Sequence, residues 1–248
     1  MKNLFILFLV FYSFNLYSKC IGGKIDFYPK KSTISPNSCI IIDEIGSDDS
    51  DLINLTKKSK VFLISGNDKI ELVLIKHNTG YRMQQFILKP SRNLKINKKY
   101  SLLIVGLDKF YCERYNSNTD KMGKVEWLVN EPIDKKSPYW IEKPFFLTKN
   151  CTEQGCGIEK FVNFSVAISD NSHDCFINVK LKHKLSKKVS EFLIEYDNER
   201  KMLKIGHNMC FGRFEFINEN EYEATFELYD ICANRAFEVV NLSFVSPI

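Results

Sequence analysis

The stretch that decides the fold is Glu-Tyr-Glu-Ala-Thr-Phe-Glu-Leu, residues 221–228, in which polar and apolar side chains alternate. Successive side chains of a β-strand point to opposite faces of the sheet. The pattern therefore predicts a strand with one packed face and one solvated face. The residues predicted to pack are Tyr222, Ala224, Phe226 and Leu228.

The same period of two recurs along the chain and predicts an all-β protein. Clusters of Gly, Asn, Asp and Ser, which favour turns, punctuate the alternating runs at residues 65–68, 78–80, 170–172 and 197–199. Many short strands separated by turn signals indicate a sandwich or a barrel. Other residues predicted to face a core are Ile70, Leu72, Leu74, Val162, Phe164, Val166, Ile168, Cys175, Ile177, Val179 and Leu181.

A break in this pattern predicts two modules. Residues 131–137 carry several charges and Pro132, lack periodicity and run into Pro138, which is typical of a semi-stiff linker. We therefore expect one β-sandwich domain over residues 19–130 and a second over residues 138–248, each near the commonest domain size.

The N-terminus predicts export. Residues 1–18 combine a short basic start with an apolar run of roughly 11 residues. That run is too short to span a bilayer but matches a cleavable signal peptide. The mature chain is then extracytoplasmic, meaning periplasmic, surface-bound or secreted, and no later stretch predicts a transmembrane segment. The alternatives are a buried N-terminal element and lipidation of Cys20, although Lys19 and Tyr17 are unusual beside a lipidated cysteine.

All eight cysteines follow the predicted leader, and in an exported chain they indicate a disulfide set. The sequence alone does not determine which of the 105 pairings that eight cysteines allow is formed. The alternative, a zinc site, is disfavoured because the chain has no Cys-x-x-Cys pair. The disulfide candidates are Cys20, Cys39, Cys112, Cys151, Cys156, Cys175, Cys210 and Cys232.

No motif predicts catalysis, a cofactor or nucleic-acid binding. The net charge of +5 is small, and the basic residues are scattered among acidic ones rather than concentrated on one face. There is no Gly-x-Ser-x-Gly elbow and no glycine-rich phosphate loop. The four histidines are dispersed along the chain: His77, His173, His183 and His207.

Two clusters of side chains are candidate sites. The acidic run over residues 43–51 lacks the spacing of a calcium loop, so we expect it to be a solvated loop and predict no metal. The aromatic residues around the linker are predicted to pack between the modules; the alternative is an exposed surface for a glycan or protein. The two clusters are Asp43, Glu44, Asp48, Asp49 and Asp51, and Trp127, Tyr139, Trp140, Phe145 and Phe146.

A family resemblance rests on the first module. Tyr28-Pro29, residues 34–42, 61–65 and 86–90, Leu94 and residues 100–105 follow the order of strands and prolines in bacterial Ig-like domains of exported and surface proteins. The second module resembles another Ig-like sandwich, because residues 222–230 precede Ile-Cys-Ala-Asn, with Ala233 where the family favours glycine.

The resemblance implies two tandem Ig-like sandwiches and a spacer or binding role without catalysis, and it transfers no functional residue. We therefore predict a non-enzymatic cell-envelope protein whose partner is a protein or a glycan. The alternatives are an extracellular hydrolase with dispersed catalytic residues, and an adhesin or inhibitor that acts through the exposed loop at residues 46–51.

Overall fold

The structure is a computed structural model that describes residues 23–46, 60–106, 112–116, 121–155, 157–170, 174–217 and 220–248. The predicted signal peptide and Cys20 lie outside these residues. The described residues form β-strands and no α-helix, which confirms the predicted all-β fold. Within them, no helix has the length and apolarity needed to cross a bilayer.

The first ten strands build one rolled sheet and a small hairpin. Eight strands pair in the order β1-β3-β6-β5-β4-β7-β10-β2, and β8 pairs with β9. These strands are β1 (Lys24–Tyr28), β2 (Thr33–Ile34), β3 (Ile40–Ile45), β4 (Val61–Ser65), β5 (Asp68–Gly80), β6 (Met83–Pro90), β7 (Lys98–Ile104), β8 (Glu113–Asn116), β9 (Lys121–Lys124) and β10 (Glu126–Val129).

The eight-stranded sheet closes around a single core. Its two edge strands, β1 and β2, are joined only by residues 29–32, so the edges must come close together. Trp127 on β10 is fully buried in this core, and its indole nitrogen donates a hydrogen bond to the carbonyl of Pro29 at 2.9 Å. Side chains from strands all around the sheet, including Phe27, Phe86 and Tyr100, pack into the same cluster.

The remaining strands build a two-layer sandwich. A three-stranded sheet, β11-β12-β15, packs on a four-stranded sheet, β14-β13-β16-β17. These strands are β11 (Tyr139–Gln154), β12 (Gly157–Ser169), β13 (Cys175–His183), β14 (Val189–Glu195), β15 (Met202–His207), β16 (Glu221–Asp230) and β17 (Arg235–Val245). The alternation predicted for β12, β13 and β16 is confirmed, because every predicted inward residue on them is buried.

Three local expectations fail where tertiary contacts override the pattern. Leu74 is 41% exposed rather than buried, because a β-bulge between Leu74 and Lys76 shifts the register of β5. Residues 78–80, predicted as a turn, continue β5 to its end at Gly80. Phe176 and Asn178, on the predicted solvated face of β13, are buried: Phe176 packs against the first module, and Asn178 lies between Glu191 and Glu227.

The two modules share an apolar interface. Tyr28, Ile41 and Ile87 of the first module pack against Phe176 and Ile231 of the second in one cluster. In addition, Ile45 and Met83, at the ends of β3 and β6, join the core of the second module. Burial of apolar side chains from both modules stabilises their association at about 25 cal/mol for each Å² removed from water.

The connecting residues also take part in this interface. Asp134 is buried, and its backbone nitrogen donates to the amide oxygen of Asn37 at 3.1 Å. Its carbonyl accepts hydrogen bonds from the amide nitrogens of Asn37 (2.7 Å) and Asn234 (3.3 Å). Hydrogen bonds to Asn37 of the first module and Asn234 of the second therefore hold the segment that was predicted to be a linker.

Candidate functional site

A cleft of roughly 240 Å³ opens between the two modules and is the candidate functional site. Its floor is apolar and its rim is polar, which is the usual character of a ligand site. Residues that form the floor are Cys39, Ile41, Ile87, Phe176, Leu193 and Ile231, and residues nearer the rim are Ile75, Lys76, Asn178, Glu191, Glu227, Tyr229, Asp230 and Ala233.

The strand period explains how the floor is built. On β3, Ile40 and Ile42 point into the first core, so Ile41 between them points outward to the cleft. On β6, Ile87 lies in the same way between core residues Phe86 and Leu88. Strands β3 and β6 therefore carry unbroken apolar runs, because both faces of each strand are covered.

The rim is a network of hydrogen bonds and ion pairs. The amide nitrogen of Asn178 donates to Glu191 at 2.7 Å and to Glu227 at 3.0 Å, which ties β13 to β14 and β16. Lys76 of the first module forms an ion pair with Glu191 of the second, and Arg235 pairs with Glu227 at 2.6 Å. The amide oxygen of Asn178 is buried without a hydrogen-bond partner.

Electrostatics keep Glu191 ionised. Burial alone would raise the pKa of this carboxyl group, but the ion pair with Lys76 and the hydrogen bond from Asn178 outweigh burial. The pKa of Glu191 therefore lies below its ordinary value. A carboxylate held in this state accepts hydrogen bonds and does not act as a proton donor near neutral pH.

A second group of carboxylates lies at one end of the cleft. Asp134, Asp170 and Asp230 place one carboxylate oxygen each within 4.8 Å of the others. The pKa of Asp230 is raised to about 6, chiefly by burial and to a smaller extent by the charges of Asp134 and Asp170, against hydrogen bonds from Asn234 that lower it. These oxygens are the described side-chain atoms that could hold a metal ion, although the sequence predicted no metal.

The acidic run that was predicted to be a solvated loop is partly buried. Asp43 and Glu44 lie on β3, and Asp43 is completely buried beneath the second module. One oxygen of its carboxylate accepts from Gln85 at 2.9 Å, and the other forms an ion pair with Arg213 at 2.9 Å. The prediction of a solvated loop is therefore wrong for these two residues; Asp48, Asp49 and Asp51 lie outside the described residues.

The cysteines do not form the full disulfide set that was predicted. Cys210 is disulfide-bonded, and Cys20 and Cys156 lie outside the described residues. The hydroxyl of Ser38 lies 3.6 Å from the sulfur of Cys232, which places residues 38–39 against residue 232 in the interface. The described cysteines with free thiols, for which the structure does not support pairing, are Cys39, Cys112, Cys151, Cys175 and Cys232.

The aromatic cluster predicted to pack between the modules separates into different environments. Trp127 is buried inside the first core, and Trp140 packs against the second core while donating to the carbonyl of Glu238 at 3.0 Å. Tyr139, Phe145 and Phe146 are exposed. The predicted packing between modules is wrong, because the exposed aromatic residues lie on β11, an edge strand of the second module's three-stranded sheet.

The described histidines do not form a catalytic pair. Nδ1 of His183 contacts the hydroxyl of Ser186 at 2.9 Å, but it also accepts from the Ser186 backbone nitrogen at 2.9 Å, as in a closed turn. Nε2 of His183 is buried without a hydrogen-bond partner, so no third group orients the ring. His77 stacks on Phe86, His207 contacts Tyr81, and His173 lies outside the described residues.

Comparison with known proteins gives low similarity. No family model and no curated protein matches the chain. Pullulanase from Anoxybacillus sp. LM18-11, complexed with maltotriose, is 10% identical with a TM-score of 0.27, and type I pullulanase from Bacillus subtilis str. 168, complexed with maltose, is 9% identical with a TM-score of 0.27. The matches cover 87% and 90% of this chain but only 25% of each pullulanase.

The chicken CNTN1 FN1-FN3 domains are 7% identical, with a TM-score of 0.22, and the match covers 90% of this chain and 63% of that one. The chain thus spans a quarter of the pullulanases and less than two thirds of the CNTN1 structure. At these TM-scores the neighbours assign neither a fold family nor a function to this chain. Membership of the bacterial Ig-like family stays a prediction.

Proposed function

We propose that this protein acts outside the cytoplasm as a non-enzymatic binding module of the cell envelope, with its ligand in the cleft between the modules. The observation that carries this proposal is the combination of an apolar floor and a hydrogen-bonding rim in one concave site between two domains. Predicted export supports the location, and the interface supports a cleft whose two walls are held together.

The chemistry of the rim favours a glycan. The carboxylates of Glu191 and Glu227 accept hydrogen bonds, so the rim offers acceptors to a ligand rich in hydroxyl donors. The cleft is smaller than the roughly 300–1,000 Å³ of typical small-molecule sites, so it suits a single unit of a longer chain. A polysaccharide of the envelope has both properties.

The same rim argues for binding rather than hydrolysis. Glu191 and Glu227 resemble a catalytic carboxylate pair in spacing, because both lie within hydrogen-bond distance of one amide nitrogen on Asn178. A glycoside hydrolase, however, needs one carboxyl group that is protonated near neutral pH. The pKa of Glu191 is lowered rather than raised, and Glu227 is paired with Arg235.

Binding of the purified mature protein to envelope fragments tests the proposal. Ile75 and Ile96 are each 54% exposed, but only Ile75 lines the cleft. We expect Ile75→Lys to weaken binding at least tenfold and the matched control Ile96→Lys to leave it unchanged. Periodate treatment of the fragments, which destroys vicinal diols of sugars, is expected to abolish binding, whereas protease treatment is not.

Three outcomes would contradict the proposal. Equal binding by Ile75→Lys and the wild type would place the ligand away from the cleft. Loss of binding after protease rather than periodate treatment would identify a protein partner. Release of soluble sugars by the wild type but not by the double variant Glu191→Gln/Glu227→Gln would show a hydrolase.

A further inference from the structure

The carboxylate cluster at the end of the cleft joins three separate parts of the chain. Asp134 belongs to the segment between the modules, Asp170 follows the end of β12, and Asp230 is the last residue of β16. Their oxygens converge within 4.8 Å although the residues are distant in sequence. The folding of the second module and the position of the connecting segment bring them together.

Asp134 supplies an independent sign of a missing ligand. The residue is only 6% exposed, and one of its carboxylate oxygens, Oδ2, is buried without any hydrogen-bond partner. The other, Oδ1, accepts from the backbone nitrogen of Lys136 at 2.9 Å. A buried carboxylate oxygen without a partner is costly, because it has lost its hydration and gained nothing in exchange.

The charges of Asp134 and Asp230 lack a basic counterion in the part of the chain that the structure describes. Among the described residues, neither Asp134 nor Asp230 forms an ion pair with a lysine or an arginine. Like charges this close repel one another, and in proteins such a group either takes up a proton or coordinates a cation.

Two asparagines hold the cluster in place. Asn234 donates to both oxygens of Asp230, from its backbone nitrogen at 2.8 Å and from its side-chain nitrogen at 2.7 Å. Asn37 of the first module exchanges two hydrogen bonds with the backbone of Asp134, at 2.7 and 3.1 Å. Hydrogen bonds from both modules therefore hold the aspartates that carry the candidate ligand oxygens.

We infer that Asp134, Asp170 and Asp230 bind a divalent cation of the calcium type. All the donors are carboxylate oxygens, which hard cations prefer, and calcium tolerates the irregular arrangement that three unrelated segments provide. The cation would pair the orphan oxygen of Asp134 and would link the connecting segment to the second module. This inference stands whether or not the cleft binds a glycan.

Calorimetric titration of the chelator-treated full-length mature protein with calcium chloride tests the site. We expect one calcium ion to bind per chain. At a hundredfold excess of calcium over its dissociation constant, we expect a rise of about 5–10 °C in the unfolding midpoint. Asp134→Asn and Asp230→Asn are expected to weaken calcium binding at least tenfold.

The control variant is Glu223→Gln, which removes an exposed carboxylate from the same strand as Asp230 and is expected to bind calcium like the wild type. Absence of calcium binding by the wild type at millimolar concentration would overturn the inference. Unchanged binding by both aspartate variants would do so as well, because the ion would then lie elsewhere. Near-ultraviolet circular dichroism separates lost binding from lost folding, and if one aspartate variant does not fold, the other decides.

Discussion

The buried ion pair between Asp43 and Arg213 offers the sharpest test of how the modules are held together. The Asp43 carboxylate is completely buried, whereas the Arg213 side chain is 26% exposed at the edge of the interface. Replacing Arg213 by methionine keeps much of the side-chain volume but removes the charge that balances Asp43. Breaking a buried pair in this way commonly costs about 3–5 kcal/mol, because the remaining charge has no partner.

Protonation of Asp43 limits that cost. Burial already raises the pKa of this carboxyl group, and Arg213 counteracts the rise. Without Arg213 the folded protein can keep Asp43 neutral. At pH 7 that costs at most about 4 kcal/mol relative to an unfolded carboxyl group with a pKa near 3.9. With one hydrogen bond from Gln85 still in place, we expect Arg213→Met to lower the free energy of unfolding by about 2–4 kcal/mol at pH 7.

The pH dependence follows from the same limit. The folded pKa of Asp43 in the variant lies above the unfolded pKa, so the folded state binds the proton more tightly and loses stability as pH rises. At pH 5 the maximal cost of neutral Asp43 falls to about 1.5 kcal/mol. The difference between Arg213→Met and the wild type should therefore shrink on acidification.

Urea unfolding at pH 7 and pH 5, followed by circular dichroism and tryptophan fluorescence, measures the loss of unfolding free energy in Arg213→Met and its decrease on acidification. The control is Arg200→Met, because Arg200 forms its ion pair with Asp197 at the surface and its side chain is 76% exposed. Such surface pairs contribute little, and we expect a change below about 0.5 kcal/mol. An equally small change for Arg213→Met, or a difference that does not shrink at pH 5, would refute the reasoning.

Three further changes have defined outcomes. Gly80→Ala should destabilise the protein by about 2 kcal/mol or more in urea unfolding, because the new Cβ would lie 2.7 Å from two carbonyl oxygens of the second module. The control is Gly123→Ala, which should be tolerated because no atom lies within 4 Å of the new Cβ. Ala233→Gly should raise the free energy of unfolding by about 0.5 kcal/mol, because Ala233 has a φ of +66° that glycine adopts without strain; a loss would contradict this. Glu195→Gln should stabilise the protein by about 1–2 kcal/mol at pH 8 and not at pH 4. Burial raises the pKa of Glu195 to about 7, so the wild type loses stability as the pH rises from the unfolded pKa of about 4.3 to that value, and the loss is complete at pH 8.

The strands could be predicted from the chain because their signal is local. Alternation over β12, β13 and β16 places each inward residue correctly, since the side-chain period of a strand is a property of the backbone. Ala233 stands where the resembling family favours glycine, and its φ is positive, as the φ of a glycine in such a turn would be. Local patterns of this kind are sufficient to establish an all-β fold.

The candidate sites could not be predicted, because they arise only where distant segments meet. Asp43 had the composition of a solvated loop, and only the second module, through Arg213, makes it a buried partner. Asp134 and Asp230 are single acidic residues in unrelated stretches, and packing alone joins them. The amino-acid sequence by itself determined which residues form strands and which face of each strand is apolar. Only the tertiary structure decided which polar residues are buried together, because desolvation and charge pairing depend on contacts between residues far apart in the chain.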